Sequence, residues 1–379
     1  MTKKKLTIAI ICDAIDTTLG GSYISAQRFA KWLADEGHSI VRCTSKFIDA
    51  SRKKDFAYAK LYEFPSLFPL WPQHVRFAYT SASSLLRIFR KEQIDIVYNI
   101  HPCYLGRQAY RAARKSNLPI VSHSHIYTEL LIPWLPKFLQ RGIKNVIARL
   151  YRKCDGIIYP TAFAQKDFQS YHFPIQEIVI SNGVDAKVFH PLPRRLHDEK
   201  LTILFVGRLD PEKNISILIE ALHLLPKNHK RNCVIVGGGS EEKKLRTLVD
   251  TYKIQEYVHF TGKLSSIDLV KHYQTCWVYV LTSLYELESM TTLEAMSCGC
   301  PLLIANSQHS AAKFFVQENG YLFDPHHPKD LADKIKMLMN DPQLLHGMSQ
   351  KSIVLWSQFS FEKSIQKLEE FFLSFCSRA

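Results

Sequence analysis

Short apolar runs, rich in β-branched residues, alternate along the chain with longer segments of helical period. In the first half these runs predict strands at Leu6–Cys12, Ile40–Thr44, Ile94–Ile100, Ile120–His123, Gly156–Tyr159 and Ile178–Ser181. Between the first two strands, Ser22–Glu36 has the spacing of an amphipathic helix that ends at Gly37. Strands and helices in this order are typical of a parallel sheet covered by helices. The first half therefore predicts a Rossmann-like α/β domain.

The alternation is interrupted once and then begins again. The stretch FHPLPRRLHDEK, Phe189 to Lys200, contains two prolines and five charged residues, which indicates a linker. After it we predict strands at Thr202–Val206, Cys233–Val236, Val258–Thr261 and Trp277–Leu281, and helices at Ile215–Leu225, Glu241–Tyr252, Ser266–Tyr273 and Thr291–Ser297. We expect domains over residues 1–190 and 191–358, facing a cleft. The remaining residues, 359–379, are expected to form a C-terminal helix that crosses back to the first domain at their junction.

Composition supports two folded domains in a reducing compartment. The chain has 379 residues, of which 46% are apolar and 22% charged, and this length and balance favour two ordinary soluble domains. The nine cysteines show neither zinc-site spacing nor a disulfide framework. Because Asp13 stops the first apolar run, that run predicts a strand rather than a signal peptide. Since no segment has the roughly 18–20 apolar residues of a membrane span, we expect a cytoplasmic protein whose membrane contact is peripheral.

The positive charge belongs almost entirely to the first half. Residues 1–190 contain 27 Lys and Arg against 14 Asp and Glu, whereas the remainder contains 22 against 21. A net charge of +13 against +1 indicates that the first domain meets an anionic partner. Nucleic acid, a membrane surface and an acidic acceptor all have this property.

A basic and aromatic stretch, Leu130–Lys153, favours the membrane surface. It combines aromatic residues with six basic ones, namely Trp134, Phe138, Tyr151, Lys137, Arg141, Lys144, Arg149, Arg152 and Lys153. Basic helices with an apolar face bind anionic membranes. Phe64–Tyr79 is a second apolar-aromatic stretch, in which prolines indicate a loop. For any one of these aromatics, a position in the protein core is the commoner case. Because the basic residues accompany an apolar cluster and no recognised nucleic-acid-binding module is present, we expect the inner face of the cell membrane, and no nucleic acid, as the partner.

Glycine-rich and basic loops follow several predicted strands. Gly20 and Gly21 lie between the first strand and the first helix, as in a phosphate-binding turn, but they lack the full G-x-G-x-x-G motif, and a tight turn is the commoner explanation for such a pair alone. Gly237, Gly238 and Gly239 form a similar loop in the second half, where backbone N–H groups and a helix start favour an anion.

Two long cations belong to the loop GRLDPEKN, just beyond the strand Thr202–Val206. Arg208 and Lys213 are suited to neutralise a diphosphate whose charge grows as a bond to it breaks. A solvated loop is the structural alternative.

The stretch ELESMTTLEAMSCGCP, Glu286 to Pro301, holds two carboxylates around a helix start. Ser289 is a good N-cap for a helix that begins at Met290 or Thr291, so N–H groups point outward there. Carboxylates of Glu286 and Glu294 accept hydrogen bonds, as the hydroxyls of a sugar require. Alternatively, Glu294 only compensates the helix dipole and Glu286 is exposed.

The motifs together resemble the retaining family-4 glycosyltransferases of GT-B fold. The resemblance rests on E-x₇-E followed by A-M-x-x-G-x-P, with NGVDAKVFHP, GRLDPEKN, VGGG and VHFTG upstream in the right order, and it covers nearly the whole chain. Such enzymes transfer a sugar from a nucleotide diphosphate, usually UDP or GDP, without an obligatory metal. The chain contains no Asp-x-Asp metal motif. The resemblance thus implies a UDP-sugar as donor substrate and no required cofactor or metal.

The resemblance also implies residue roles in the second domain. Arg208 and Lys213 would hold the diphosphate, and Glu286 would contact the donor hexose. Backbone amides of Ser289, Met290 and Thr291 would contact hexose and phosphate, while Glu294 would bind the ribose diol.

Further roles follow for other loops. Gly20 and Gly21 would lie beside the diphosphate, and Gly262 and Lys263 beside the base. His125, in SHSHIYTE, matches the first-domain histidine that lies near the anomeric carbon, and His123 is a weaker match; a lone histidine after a strand is otherwise structural.

One departure from the usual motif indicates which branch of the family the chain resembles. Many members have E-G-F-G where this chain has Glu286-Leu287-Glu288-Ser289, so the freedom of glycine at positive φ is absent. The variant resembles the bacterial diacylglycerol glucosyltransferases. We therefore expect a glucosyl or other hexosyl transfer from a UDP-sugar to a lipid or lipid-linked acceptor such as diacylglycerol. A transferase of lipopolysaccharide or cell-surface polysaccharide, a nucleotide-sugar epimerase and a non-catalytic binding protein are the alternatives.

Overall fold

The computed structural model divides the chain into two units. It describes residues 4–13, 21–47, 50–67, 77–100, 102–125, 136–192, 201–226 and 231–376. Unit 1 consists of Met1–Ser181 and Ser364–Ala379, and unit 2 consists of Asn182–Lys363. The first unit thus ends earlier than the predicted boundary at residue 190, and residues 193–200 of the predicted linker lie outside the described part.

Unit 1 is built on a seven-stranded parallel sheet with the order β3-β2-β1-β6-β7-β8-β9. The strands are β1 (Thr7–Ile11), β2 (Ser39–Ser45), β3 (Ala59–Phe64), β4 (Ser66–Leu67), β5 (Phe77–Ala78), β6 (Ile96–Asn99), β7 (Ile120–His123), β8 (Gly156–Tyr159) and β9 (Gln176–Val179), of which β4 and β5 form a separate antiparallel pair. The helices are α1 (Gly21–Asp35), α2 (Ala82–Lys91), α3 (Tyr104–Lys115), α4 (Lys137–Tyr151) and α5 (Ala162–Phe168). The inner strands β6, β7 and β8 are buried along their whole length, as strands covered by helices on both faces must be.

Unit 2 repeats this architecture with a six-stranded parallel sheet in the order β12-β11-β10-β13-β15-β17. The strands are β10 (Leu201–Val206), β11 (Arg231–Val236), β12 (Val258–Gly262), β13 (Val278–Leu281), β14 (Tyr285–Glu286), β15 (Leu302–Ala305), β16 (His309–Ser310) and β17 (Gly320–Phe323), of which β14 and β16 pair separately. The helices are α6 (Ser216–Leu224), α7 (Glu242–Thr251), α8 (Ser266–Thr275), α9 (Met290–Ser297), α10 (Pro328–Met339) and α11 (Pro342–Trp356). The predicted fold class, two Rossmann-like α/β domains, is confirmed.

The last helix, α12 (Phe361–Cys376), joins the C-terminal end of the chain to unit 1. A buried polar contact fixes it there, because the Nε2 of His38 lies 3.2 Å from an Oε1 of Glu369 and both side chains are almost fully buried. The backbone N–H of Leu6 donates to Nδ1 of the same ring, which leaves the proton on Nε2, facing the carboxylate. Phe372 adds an edge-on contact with Tyr98.

In the described part of the chain, no helix combines the length and apolar composition needed to cross a membrane.

Candidate functional site

Most of the predicted site residues lie at one edge of the unit 2 sheet. Arg208 and Lys213 follow β10, the three-glycine loop follows β11, Gly262 ends β12, and Glu286 with the start of α9 follows β13. These four strands are consecutive in the sheet and parallel, so their carboxyl ends meet at the same edge. Ligands of open parallel sheets bind at this edge.

Two carboxylates hold the guanidinium of Arg208. It donates to Asp210 and to Glu212, and its side chain is 40% exposed. A turn at Pro211–Lys213 places the two acidic residues around the arginine. The pairs fix the arginine side chain while leaving part of the cation open to an incoming anion.

Asp210 also links two loops. Its Oδ1 accepts hydrogen bonds from the backbone N–H and the hydroxyl of Ser240, both at 3.0 Å, while its Oδ2 accepts from Arg208. Ser240 directly follows the glycine loop. The arginine and the start of α7 are therefore positioned by the same carboxylate.

In the glycine loop, close backbone packing requires a glycine at position 237. A Cβ on Gly237 would lie 1.8 Å from the carbonyl oxygen of Gly207, and its φ of +131° is one that side chains rarely adopt. The N–H of Gly237 donates to the carbonyl of Gly262 at 2.9 Å. Gly238 is the more open position, because a Cβ there would approach only a carboxylate oxygen of Glu242, at 3.8 Å. The ligand roles of Gly237 and Gly238 stay predictions.

Lys213 and Glu286 form an ion pair at the centre of the edge. The Nζ–Oε1 distance is 2.6 Å, and the side chains are only 15% and 13% exposed. Glu286 lies in β14, which pairs with β16. The hydroxyl of Thr282 donates to the carbonyl of Lys213, so the loops after β10 and β13 are joined to each other. Since Glu286 is largely buried and paired, the exposed alternative for it is wrong.

Helix α9 begins at Met290, as expected, but Ser289 does not cap it with its side chain. Ser289 adopts a left-handed conformation with φ +67°, and its hydroxyl lies 2.8 Å from that of Thr292. This backbone conformation costs a residue other than glycine roughly 1–2 kcal/mol. The serine thus adopts the kind of positive φ that glycine allows freely.

Two buried tyrosines lie beneath α9. The hydroxyl of Tyr273 donates to Oε2 of Glu294 at 3.0 Å, and that of Tyr279 donates to Thr291 at 2.7 Å. Burial, followed by the nearby Glu294 carboxylate, raises the pKa of Tyr273 well above its usual range, so the hydroxyl keeps its proton and remains a donor. Burial raises the pKa of Tyr279 in the same way. Glu294 therefore has a specific partner beyond the helix dipole.

The loop after β12 presents Gly262 in a left-handed conformation, φ +68°, followed by the exposed Lys263. The place of these two residues beside a base stays a prediction.

In unit 1, the structure distinguishes the two histidines of SHSHIYTE. His123 is completely buried, with Nδ1 2.6 Å from the hydroxyl of Tyr98. His125 is partly exposed, and its ring lies 3.9 Å from that of His123. His125 is therefore the accessible one of the two. Gly21 is the first residue of α1, whereas Gly20 lies outside the described residues.

Within the basic stretch, Lys137–Tyr151 forms helix α4, and the residues of this helix divide into two groups. Phe138, Leu139 and Val146 are exposed apolar residues, and Arg141 and Arg149 are exposed beside them. Tyr151 is instead fully buried in the core, and Lys144 pairs with Asp167. Trp134, and residues 68–76 of the second aromatic stretch, lie outside the described ranges.

Sequence reasoning missed three residues that shape the site. Asp210 and Glu288 belong to quoted motifs, but no role follows from the motifs, because their partners Ser240 and Asn182 are distant in sequence. Tyr273 gave no signal beyond its position near the end of a predicted helix. Among the described residues, no cluster of three or more His, Cys, Asp or Glu side chains has a geometry that would hold a metal.

Two family models match the chain, one on each side of residue 190. Residues 19–188 match the model described as Glycosyltransferase Family 4, and residues 192–353 match that described as Glycosyl transferases group 1. The alpha-monoglucosyldiacylglycerol synthase of Streptococcus pneumoniae is 24% identical, over 97% of this chain and 86% of the relative.

Solved structures share the fold at lower identity. Anabaena HepE in complex with UDP-glucose has a TM-score of 0.77 and 19% identity, with 97% of this chain and 100% of that one covered. The apo form of the lipopolysaccharide outer core galactosyltransferase WaaB has a TM-score of 0.72 and 18% identity, with 97% and 99% covered.

Proposed function

Because the chain belongs to the GT-B glycosyltransferases with family 4 and group 1 domains, we propose that it transfers glucose from UDP-glucose to a membrane lipid such as diacylglycerol, with retention of configuration. The relative from Streptococcus pneumoniae is named as a synthase of a glucosyldiacylglycerol, and the match spans nearly all of this chain. HepE, which shares the fold, is described in complex with UDP-glucose. These names support a glucosyl donor and a lipid acceptor.

The observation that carries the proposal is the grouping of Arg208, Lys213, Glu286 and the start of α9 at one sheet edge. The two cations suit the diphosphate, whose negative charge increases as the glycosidic bond breaks. N–H groups at the start of α9 favour the same anion. Glu286 and Glu294 supply acceptors for sugar hydroxyls.

Donor binding requires the central ion pair to rearrange. Lys213 is held by Glu286 at 2.6 Å, and a diphosphate competes for the same ammonium. Once Lys213 turns to the phosphate, the Glu286 carboxylate is released to accept from a hexose hydroxyl. In the transfer, the bond from the anomeric carbon to the diphosphate oxygen breaks, and a bond to the acceptor oxygen forms. The acceptor proton moves to the departing diphosphate.

The lipid acceptor is supported by the exposed surface of α4, where Phe138, Leu139 and Val146 lie beside Arg141 and Arg149. Apolar residues that enter the headgroup region, with cations above anionic lipids, attach a protein peripherally. We place the enzyme at the inner face of the cell membrane. We assign His125 to a position near the anomeric carbon of the donor sugar.

A transferase of lipopolysaccharide or cell-surface polysaccharide is the second candidate, favoured by the shared fold of WaaB. An acceptor of that class contains a sugar, whereas diacylglycerol presents a single hydroxyl on a lipid. Incubation with UDP-[14C]glucose and either diacylglycerol vesicles or lipopolysaccharide distinguishes the two by the labelled product. Consumption of UDP-glucose without any acceptor would instead indicate an epimerase or a hydrolase.

The test of the site is Arg208→Ala in the full chain. We expect turnover of UDP-glucose to fall about 100-fold or more, the loss typical of one group that stabilises transition-state charge. Arg246, an exposed arginine on α7 that pairs with Glu242, is the matched control, and Arg246→Ala should retain turnover. Equal turnover in the unchanged chain and Arg208→Ala would contradict the assigned role.

A further inference from the structure

Glu288 is a buried carboxylate within the loop that separates Glu286 from α9. It is 4% exposed, and both of its oxygens accept from the backbone N–H of Asn182, at 3.1 and 3.0 Å. The side-chain amide of Asn182 also donates to Oε2 of the same carboxylate. A buried charge requires such bonds, and bonds to a charged group are among the stronger ones in a protein.

Asn182 is itself anchored within unit 2. It is the first residue of that unit, and Val184, two residues on, exchanges backbone hydrogen bonds with the segment around the start of α12. These bonds join Val184 to Phe359 and Phe361, at 3.2 and 3.1 Å. Glu288 thus ties the loop before α9 to a segment that is fixed by main-chain pairing.

The loop needs this support, because the residue after Glu288 has an unfavourable backbone conformation. Ser289 is held at φ +67°, which residues other than glycine adopt only where the surroundings impose it. In the motif Glu286-Leu287-Glu288-Ser289, the third and fourth residues are therefore linked. The glutamate supplies the bonds, and the serine takes the conformation that they stabilise.

We propose that Glu288 is a positioning residue which, through Asn182, holds Glu286 and the first N–H groups of α9 in the arrangement that binds the sugar-diphosphate end of the donor. The inference rests on the proposed function, since it concerns the same donor. It gives a structural role to Glu288 and Ser289, two of the three residues that replace the usual Gly-Phe-Gly. Asn182 becomes the partner on which the donor loop depends.

The test compares two probes, UDP-glucose and UMP, by calorimetric titration of full-chain variants. Asn182→Asp places a second carboxylate against Glu288, and two carboxylates this close cannot both remain ionised without strain. We expect the affinity for UDP-glucose to fall about tenfold or more, as for the loss of one hydrogen bond to a charged group. The affinity for UMP, which lacks the sugar and the second phosphate, should change less than about twofold.

The double variant N182D/E288Q restores the pairing with the charge exchanged. The amide of the introduced glutamine donates to the new aspartate, and its carbonyl accepts from the backbone N–H of residue 182. Affinity for UDP-glucose should return to within about threefold of the unchanged chain, the coupling that a double-mutant cycle measures. If Asn182→Asp does not fold, Asn182→Ala replaces it in the test, since this change removes only the side-chain donor. For Asn182→Ala we expect a smaller loss of affinity for UDP-glucose and an unchanged affinity for UMP.

Glu369→Gln is the matched control, because Glu369 is an equally buried carboxylate in unit 1 that pairs with His38. It should lower the melting temperature and leave both affinities unchanged. Equal loss of UDP-glucose and UMP affinity in the Asn182 variants, or no loss of either, would overturn the positioning role. If the unchanged protein bound no UDP-sugar, the proposed function would fall first, and the inference with it.

Discussion

Asp13 is a carboxyl group buried just beyond the end of β1, and it makes one contribution to the stability of unit 1 depend on pH. It is 3% exposed, and its Oδ1 accepts from the N–H of Ala78 at 2.7 Å. Burial raises the pKa of Asp13 to about 7, against the lowering effect of that hydrogen bond. The folded state therefore retains a proton that the unfolded chain releases near its ordinary pKa of 3.8. The contribution of Asp13 to stability therefore falls as the pH rises from about 4 to about 7 and is then constant.

We predict that Asp13→Asn removes this dependence. The asparagine carbonyl still accepts from Ala78 and carries no charge, so the variant should gain stability relative to the unchanged chain as the pH rises. The linkage relation puts the gain at roughly 4 kcal/mol at most above pH 7. Urea unfolding at about pH 4.5 and pH 8 measures it. Asp35→Asn, at an exposed carboxyl that pairs with Lys31, should give a small difference at both pH values. A pH-independent Asp13→Asn difference would mean that Asp13 titrates normally.

At the residue scale, sequence reasoning identifies groups by their chemistry and their place after a strand. Arg208, Lys213, Glu286 and Glu294 were found in this way, and the structure gathers them at one edge. Sequence reasoning does not identify a residue whose role depends on a partner that is distant along the chain. Glu288 could not be interpreted because Asn182 lies 106 positions away along the chain. The left-handed conformation of Ser289 could not be predicted either, because a serine in the sequence does not indicate a positive φ.

At the scale of elements, the edge strand β3 and the buried strand β15 were missed, whereas the inner strands β6, β7 and β8 were predicted. Strands β6, β7 and β8 are fully buried. Strand β3 has the sequence AKLYEF, lies at the sheet edge, and is only partly buried. An edge strand needs no continuous apolar run, so periodicity gives a weak signal there. The glycine loop after β11 shows the opposite case. Its composition was recognised, but the contact that makes glycine necessary is with the neighbouring loop after β10.

Gly237→Ala should therefore destabilise unit 2. The added Cβ meets the Gly207 carbonyl at 1.8 Å, and φ +131° is strained for alanine, so we expect a loss of about 3 kcal/mol or more in the free energy of unfolding. Gly238→Ala is the control in the same loop, because its Cβ would meet only a flexible carboxylate at 3.8 Å. That variant should change the free energy by less than about 1 kcal/mol. Denaturant unfolding of both variants measures the difference, and equal effects would show that the close approach of the two loops is not what requires glycine.

At the scale of the whole molecule, the positive charge lies mainly in the first half of the chain, as the proposed attachment to an anionic membrane would require. Residues 1–190 carry +13 and the remainder +1. In the loops of unit 2 that we propose to bind the donor, the cations of Arg208 and Lys213 are paired with carboxylates. On α4, by contrast, Arg141 and Arg149 are exposed next to apolar side chains. A surface of this composition binds through both charge and apolar insertion, and the two contributions respond differently to salt.

We predict that the protein co-sediments with vesicles containing anionic lipid at low ionic strength and is released progressively by salt. Arg141→Glu should weaken binding mainly at low salt, since each basic residue near such a surface contributes about 1 kcal/mol. Phe138, which is 71% exposed, contributes apolar area instead, so Phe138→Ser should weaken binding at every salt concentration. Phe314→Ser is the matched control, because Phe314 is 60% exposed in unit 2. If Phe314→Ser weakened binding as much as Phe138→Ser, the surface of α4 would not be the membrane contact, and absence of binding at low ionic strength would exclude the peripheral attachment itself.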